Sequence, residues 1–237
     1  MAAVEPLYLV RVQCPYCEQS FQTSRVRPSF RKSVGRDSDF CIHYKDPDFN
    51  PDYYVVRICP YCGFASTENS KTKLLEKHKA LFREKIANHW TGRDFGGKRS
   101  WDDALQSYKL ALLCGQLIEE SERVIAGILH HIAWLYRYKQ DWEQEKRFLR
   151  YAKEAYVRVF ETEEGQVNNA RLMYLIGELS RRLKDYHDAI KWFGRVINDR
   201  RIMDSAMIQA SREQWKQTRE DMLREKLELP EELQASD

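Results

Sequence analysis

The sequence predicts a mainly α-helical fold that opens with a small, metal-binding β region over residues 1–70 and continues as a helical region over 71–237. Three observations carry that expectation. Five of the six cysteines, Cys14, Cys17, Cys41, Cys59 and Cys62, fall within the first 62 residues. Six of the seven prolines precede residue 70, and no proline between Pro60 and Pro230 prevents long helices. From about Thr72, apolar residues recur three and four apart, as in Val124, Ile125, Ile128, Leu129, Ile132, Leu135 and Tyr136, which share one helical face.

In the first region, YLVRV before Cys14, the alternating EQSFQTSRVRP after Cys17 and YYVVRI before Cys59 read as strands. VQCPYCEQ and RICPYCGF each place two cysteines three apart at the end of an extended run. A Cys-x-x-Cys turn sets both sulfurs on one side of a tight knuckle, and two facing knuckles complete a tetrahedron that suits Zn2+. One zinc per chain is therefore expected on Cys14, Cys17, Cys59 and Cys62, in an arrangement that resembles a zinc ribbon with an inserted loop. Iron in a rubredoxin-like site is the other metal that four thiolates hold. CPYC is also the active-site string of glutaredoxins, but that motif opens a helix, whereas a strand follows Cys17 and Gly63 suits a knuckle. Thiol redox chemistry is the less favoured reading. Cys41 and His43, two residues apart, do not form a knuckle and are expected to be bystanders. Cys114, among Leu112, Leu113 and Leu117, is expected in the core.

In the second region, SWDDALQSYKLA, DWEQEKRFLRYA and DYHDAIKWFGRV begin at Ser100, Asp141 and Asp185, each with a capping residue before an aromatic one. Small residues Ala133 and Gly177 lie on the helices that precede the second and third segments. The placement of Gly177, Tyr186, Ala189 and Phe193, of Ala133, Tyr136 and Ala152, and of Ala104, Tyr108 and Ala111 resembles the tetratricopeptide repeat. That resemblance implies a tetratricopeptide-like array of about three helical hairpins whose first helices line a concave face. On that face His130, Trp134, Arg137, Arg171, Tyr174, Glu178 and Arg181 are expected to bind a protein or peptide with acidic and hydrophobic residues. An irregular helical bundle is the alternative.

Composition narrows the function. Thirty-nine basic and 36 acidic side chains leave +3, so nucleic acid or anionic lipid would have to be bound by a local patch. Arg25, Arg27, Arg31, Lys32 and Arg36 form such a patch, and a zinc-ribbon protein gripping nucleic acid through loop 25–36 is the main alternative function. Eight acids balance the eight basic residues of 1–70, and four thiolates with one zinc add −2, which favours a solvated loop. Glu5 and Pro6 interrupt any leader-like start, and no uninterrupted apolar run reaches about 18 residues, so a cytoplasmic chain with no membrane partner is expected. No serine-histidine-aspartate string, phosphate-cradling loop or zinc-protease motif is present, and a non-enzymatic adaptor is expected.

CPYC at Cys14, RDSDFC from Arg36 to Cys41, NPDYYVVRICPYCGF from Asn50 to Phe64 and the helical tail together resemble a family of uncharacterised bacterial proteins, common in spore-forming Gram-positive species and known as a domain of unknown function. The resemblance spans nearly the full chain. It implies a zinc-ribbon-like head and a tetratricopeptide-like body, and it implies no activity.

Overall fold

A computed structural model describes residues 4–162 and 169–229. Among these described residues six short strands precede seven α-helices. The strands pair only in antiparallel twos: β1 (Leu7–Gln13) with β2 (Ser20–Val26), β3 (Ser33–Arg36) with β4 (Ile42–Tyr44), and β5 (Arg57–Ile58) with β6 (Ala65–Ser66). Two-stranded hairpins are marginal alone, so each must lean on something else.

The strand expected over YYVVRI is mostly absent. Asn50 Oδ1 accepts the Asp52 N–H at 2.9 Å and Pro51 holds the first position, so Pro51–Tyr54 closes a 3-10 turn and only Arg57–Ile58 stays extended. The turn buries Tyr53 and Tyr54.

The helices are α1 (Glu76–Lys85), α2 (Trp101–Leu117), α3 (Glu122–Tyr138), α4 (Trp142–Thr162), α5 (Ala170–Arg182), α6 (Tyr186–Asn198) and α7 (Ser205–Arg224). The three expected starts hold, through different caps. Ser100 and Asp103 form a reciprocal capping box at α2, and Asp141 Oδ1 accepts the Gln144 N–H at 3.1 Å at α4. Asp185 makes no such bond, because its carboxylate pairs with Lys153 Nζ at 2.9 Å.

The turns α2–α3, α3–α4 and α5–α6 repeat one geometry. Glu119, Gln140 and Lys184 adopt left-handed φ of 50°, 58° and 68°, and the next residue's N–H reaches back to Gly115, Tyr136 and Ser180 carbonyls at 2.8, 3.0 and 2.9 Å. This bonding pattern turns the chain within three or four residues and produces the α2–α3 and α5–α6 hairpins.

Contacts divide the chain into two compact units, Met1–Asp37 with Cys41–Glu145, and Ser38–Phe40 with Lys146–Asp237. The change from strands to helices near residue 70 therefore falls inside the first unit. There Tyr108 donates its hydroxyl to the Asp52 carbonyl at 2.8 Å, and the Ala65 N–H points at Cys114 Sγ at 3.4 Å, tying α2 to the 3-10 turn and to β6. Cys114 is buried, as expected, and burial pushes its thiol up to about 12. In the second unit α5, α6 and α7 enclose Tyr174, Ala189 and Phe193, with Tyr186, Ile190 and Met222 in a neighbouring cluster. Gly177 is required: a Cβ there would lie 2.8 Å from Phe193 Cε1.

Candidate metal centre

Each cysteine pair occupies the turn of a strand hairpin, and the two turns are built alike. In the first, between β1 and β2, Cys14 N–H donates to the Gln19 carbonyl at 3.0 Å and Glu18 N–H donates back to the Cys14 carbonyl at 3.0 Å. In the second, between β5 and β6, the same bonds run from Cys59 to Phe64 at 3.0 Å and from Gly63 to Cys59 at 2.9 Å. The residue after each second cysteine turns left-handed, Glu18 at φ 61° and Gly63 at φ 76°. Proline second and left-handed fifth force the turn tight enough to aim both sulfurs the same way.

The two knuckles face one another. Cys14 Sγ lies 3.6 Å from Cys62 Sγ and Cys17 Sγ lies 3.6 Å from Cys59 Sγ, with all four sulfurs within 4.8 Å. Those separations are too long for disulfides, which need about 2.05 Å. They match the edge of a tetrahedron with metal–sulfur bonds of about 2.3 Å, which is about 3.8 Å. Cys14, Cys59 and Cys62 are buried and Cys17 is half-buried, so an ion among them would be shielded from bulk water.

Four thiolates cannot share this volume without a cation. Interaction with Cys59, then burial, pushes the Cys14 thiol up to about 12, and Cys14 and Cys59 likewise drive Cys62 upward. Cys59, accepting from Cys14 and Cys62, is held down at about 2. A divalent ion bound here would replace the retained protons, so its binding would release them and strengthen as pH rises. The donor set of four soft sulfurs suits Zn2+ or iron and is wrong for hard oxygen-seeking ions.

Helix α1 and the loop after it hold the knuckles in place. Phe82 of α1 is fully buried between Tyr16 of the first knuckle, ring centroids 4.6 Å apart, and Phe64 beside the second, 5.1 Å apart. Trp90 covers Gly63 and donates Nε1–H to the Pro60 carbonyl at 2.8 Å. A Cβ at position 63 would sit 2.5 Å from Trp90 Cε3. Gly63→Ala therefore adds left-handed strain to a steric clash, and should cost ~2–4 kcal/mol in denaturant unfolding and hasten metal loss to a chelator. Glu18→Gly, at the equivalent position, should leave stability equal or slightly raised. The buttressing by Phe82 and Trp90 gave no sequence signal, since α1 has a weak apolar face and Trp90 lies in an irregular loop.

The remaining expected residues fall elsewhere. Cys41 is buried with its Sγ 3.5 Å from Tyr138 Oη, and His43 Nε2 lies 2.8 Å from Asp37 Oδ1. Neither belongs to the sulfur cluster. In the first unit, α3 carries a buried His130, whose ring lies 4.7 Å from that of Trp134, and a buried Arg137 paired with Asp37 at 2.6 Å and Glu145 at 2.7 Å. In the second unit, Tyr174 and Glu178 of α5 are buried as well. Tyr174 donates to the Ser38 carbonyl at 2.8 Å, while Glu178 accepts from Ser38 Oγ at 2.6 Å, Arg181 at 2.9 Å and Arg182 at 2.8 Å. Arg181 also pairs with Asp221 of α7 at 2.6 Å. Arg171 is exposed, with its guanidinium 4.5 Å from the Phe40 ring. The chain's own Ser38–Asp39–Phe40 thus occupies the α5 face that the sequence marks for a ligand.

The basic stretch is partly committed to the fold. Arg25 pairs with Glu68 at 2.9 Å, Arg27 Nε donates to the Glu5 carbonyl at 2.9 Å, and Arg31 Nε donates to the Val26 carbonyl at 2.8 Å. No described helix is long and apolar enough to cross a membrane.

Two cysteine knuckles sharing one sulfur cluster, followed by helical hairpins, define the class: a metal-binding-capable β region ahead of a helical array. The chain belongs to the DUF2225 family, described as an uncharacterized protein conserved in bacteria, whose profile matches residues 7–218. No curated protein and no solved structure matches it.

Proposed function

We propose that the chain is a non-enzymatic, cytoplasmic adaptor in which one structural zinc, held by Cys14, Cys17, Cys59 and Cys62, stabilises the β region and a tetratricopeptide-like array binds a peptide segment of a protein partner. The sulfur tetrahedron carries the metal half of this reading. Two-stranded sheets are marginal by themselves, so metal bound only by the folded state would contribute directly to folding.

The peptide half is supported by what α5 holds. Arg182 lies 3.5 Å from Asp39, Tyr174 packs against Phe40 with centroids 5.5 Å apart, and Arg171 lies over the same ring. An acidic residue followed by an aromatic one is the ligand chemistry expected from the sequence. A partner segment of that kind would compete with the chain's own. The test is a synthetic peptide spanning residues 36–41, titrated against the wild-type chain and against a chain carrying Asp39→Ala and Phe40→Ala. Binding to the double variant, at least tenfold tighter than to wild type, is the expected result; no binding to either removes the peptide-receptor reading.

Nucleic acid is the less favoured partner because Arg25 already has Glu68 and Arg27 and Arg31 already hold backbone carbonyls. DNA and RNA should bind weakly, without sequence preference, and with steep salt dependence of roughly −0.9 per phosphate neutralised on duplex DNA. Submicromolar binding at physiological salt that disappears when Arg25, Arg27, Arg31, Lys32 and Arg36 are replaced would favour the nucleic-acid function instead.

A further inference from the structure

Arg99 is 2% exposed, and it precedes the Ser100 cap of α2. Its Nε donates to the Phe95 carbonyl at 2.8 Å and its Nη1 to the Tyr53 and Val56 carbonyls at 2.9 and 2.8 Å, whereas its buried Nη2 has no partner among the described residues. Among the described residues no carboxylate pairs with it. Burial pulls this guanidinium down to about 10, so it still carries its charge at neutral pH. A buried cation without a counter-ion is costly unless a ligand supplies one.

Arg99 lines a cavity of about 730 Å³ in the first unit, between the start of α2, the end of α3 and the stretch around residues 43–53. That volume lies in the range of small-molecule sites. The wall is rich in unused donors: among the described residues Lys139 makes no ion pair, its Nζ standing 5.5 Å from the Trp101 ring, and the hydroxyls of Tyr44 and Tyr53 have no hydrogen-bond partner. The carboxylates at the wall are already taken. Asp48 pairs with Lys98 at 2.8 Å, and Asp103 serves the capping box and Arg93 at 2.6 Å. The positive end of the α2 dipole adds to the field.

We propose that this cavity binds a small organic phosphate bearing a planar ring, with Arg99, Lys139 and the Tyr44 and Tyr53 hydroxyls directed to the phosphate and the Trp101 and tyrosine rings flanking the planar group. Phosphate is favoured over carboxylate because four separate donors exceed what two carboxylate oxygens can serve, whereas three terminal oxygens and up to two charges match them. The site is independent of the sulfur cluster and uses none of its residues.

The test is calorimetric titration of the full-length, metal-replete chain with AMP, inorganic phosphate, adenosine and indole-3-acetate. AMP is expected to bind in the micromolar range, inorganic phosphate at least tenfold more weakly, and adenosine and indole-3-acetate more weakly still. Lys139 is exposed, so Lys139→Ala should leave the melting temperature unchanged and weaken AMP roughly tenfold, the loss of one charge-assisted contact. Tyr44→Phe should produce a smaller loss. Absence of binding by both AMP and phosphate, an unchanged AMP affinity in Lys139→Ala, or preference for indole-3-acetate would each overturn the proposal.

Discussion

Replacing Cys59 by Ser is expected to remove the metal and unfold both knuckles, whereas Cys41→Ser should keep one metal per chain. The two cysteines are equally buried, so burial alone cannot separate the outcomes. Cys59 is one corner of the sulfur tetrahedron and Cys41 faces a tyrosine hydroxyl. Loss of one of four ligands forfeits much of the ~10–16 kcal/mol with which four-ligand structural zinc sites bind, and the knuckle turns themselves have only Phe82 and Trp90 packed on them to offset it. The consequences should be local. Phe82 and Trp90 lose their seats on the knuckles, so tryptophan emission should shift red and near-ultraviolet dichroism fall, while the packing of α2 against α3 preserves most of the helical signal. Cys41→Ser should cost only ~1–2 kcal/mol, the price of a polar group placed in a buried site. Equal metal loss in both variants would place Cys41 among the ligands.

Glu178→Ala is expected to destabilise the second unit by ~3–5 kcal/mol, because it strips the shared carboxylate from two guanidiniums in a buried setting. Glu178 is fully buried and serves Arg181, Arg182 and Ser38 together. Arg181 would keep Asp221, but Arg182 would keep only the longer contacts to the Ser38 hydroxyl at 3.2 Å and to Asp39 at 3.5 Å. Hydrogen exchange should show amides 38–40 losing protection before those of α6, since the Ser38 hydroxyl loses its acceptor. A change under about 1 kcal/mol in denaturant unfolding, with no change in exchange, would mean that Glu178 does not organise this face.

The sulfur cluster was legible because its determinants are local: two Cys-Pro-Tyr-Cys strings encode their own turns, and Gly63 marks the left-handed position that one turn requires. Glu18 fills the same position in the other turn without a glycine to announce it. Helix starts at Ser100, Asp141 and Asp185 were legible for the same reason, although Asp185 works through Lys153 rather than as a cap. The α5 face was less legible. Tyr174, Glu178 and Arg181 have the composition of a binding surface, but what covers Glu178 is Ser38, 140 residues earlier, and no periodicity records so distant a contact. Arg99 was missed likewise: a lone arginine before a capping serine gives no sign that three backbone carbonyls surround it.

X-ray absorption at the metal edge, on protein purified without added metal, reads the ligand shell itself. The expected spectrum is that of one zinc per chain with a shell of four sulfurs at about 2.3 Å and no nitrogen or oxygen neighbour. A red protein with an iron edge would keep the four-thiolate site and change its metal. A substoichiometric metal content, or a mixed shell that brings in an imidazole such as His43, would contradict the four-cysteine centre on which the proposed role rests.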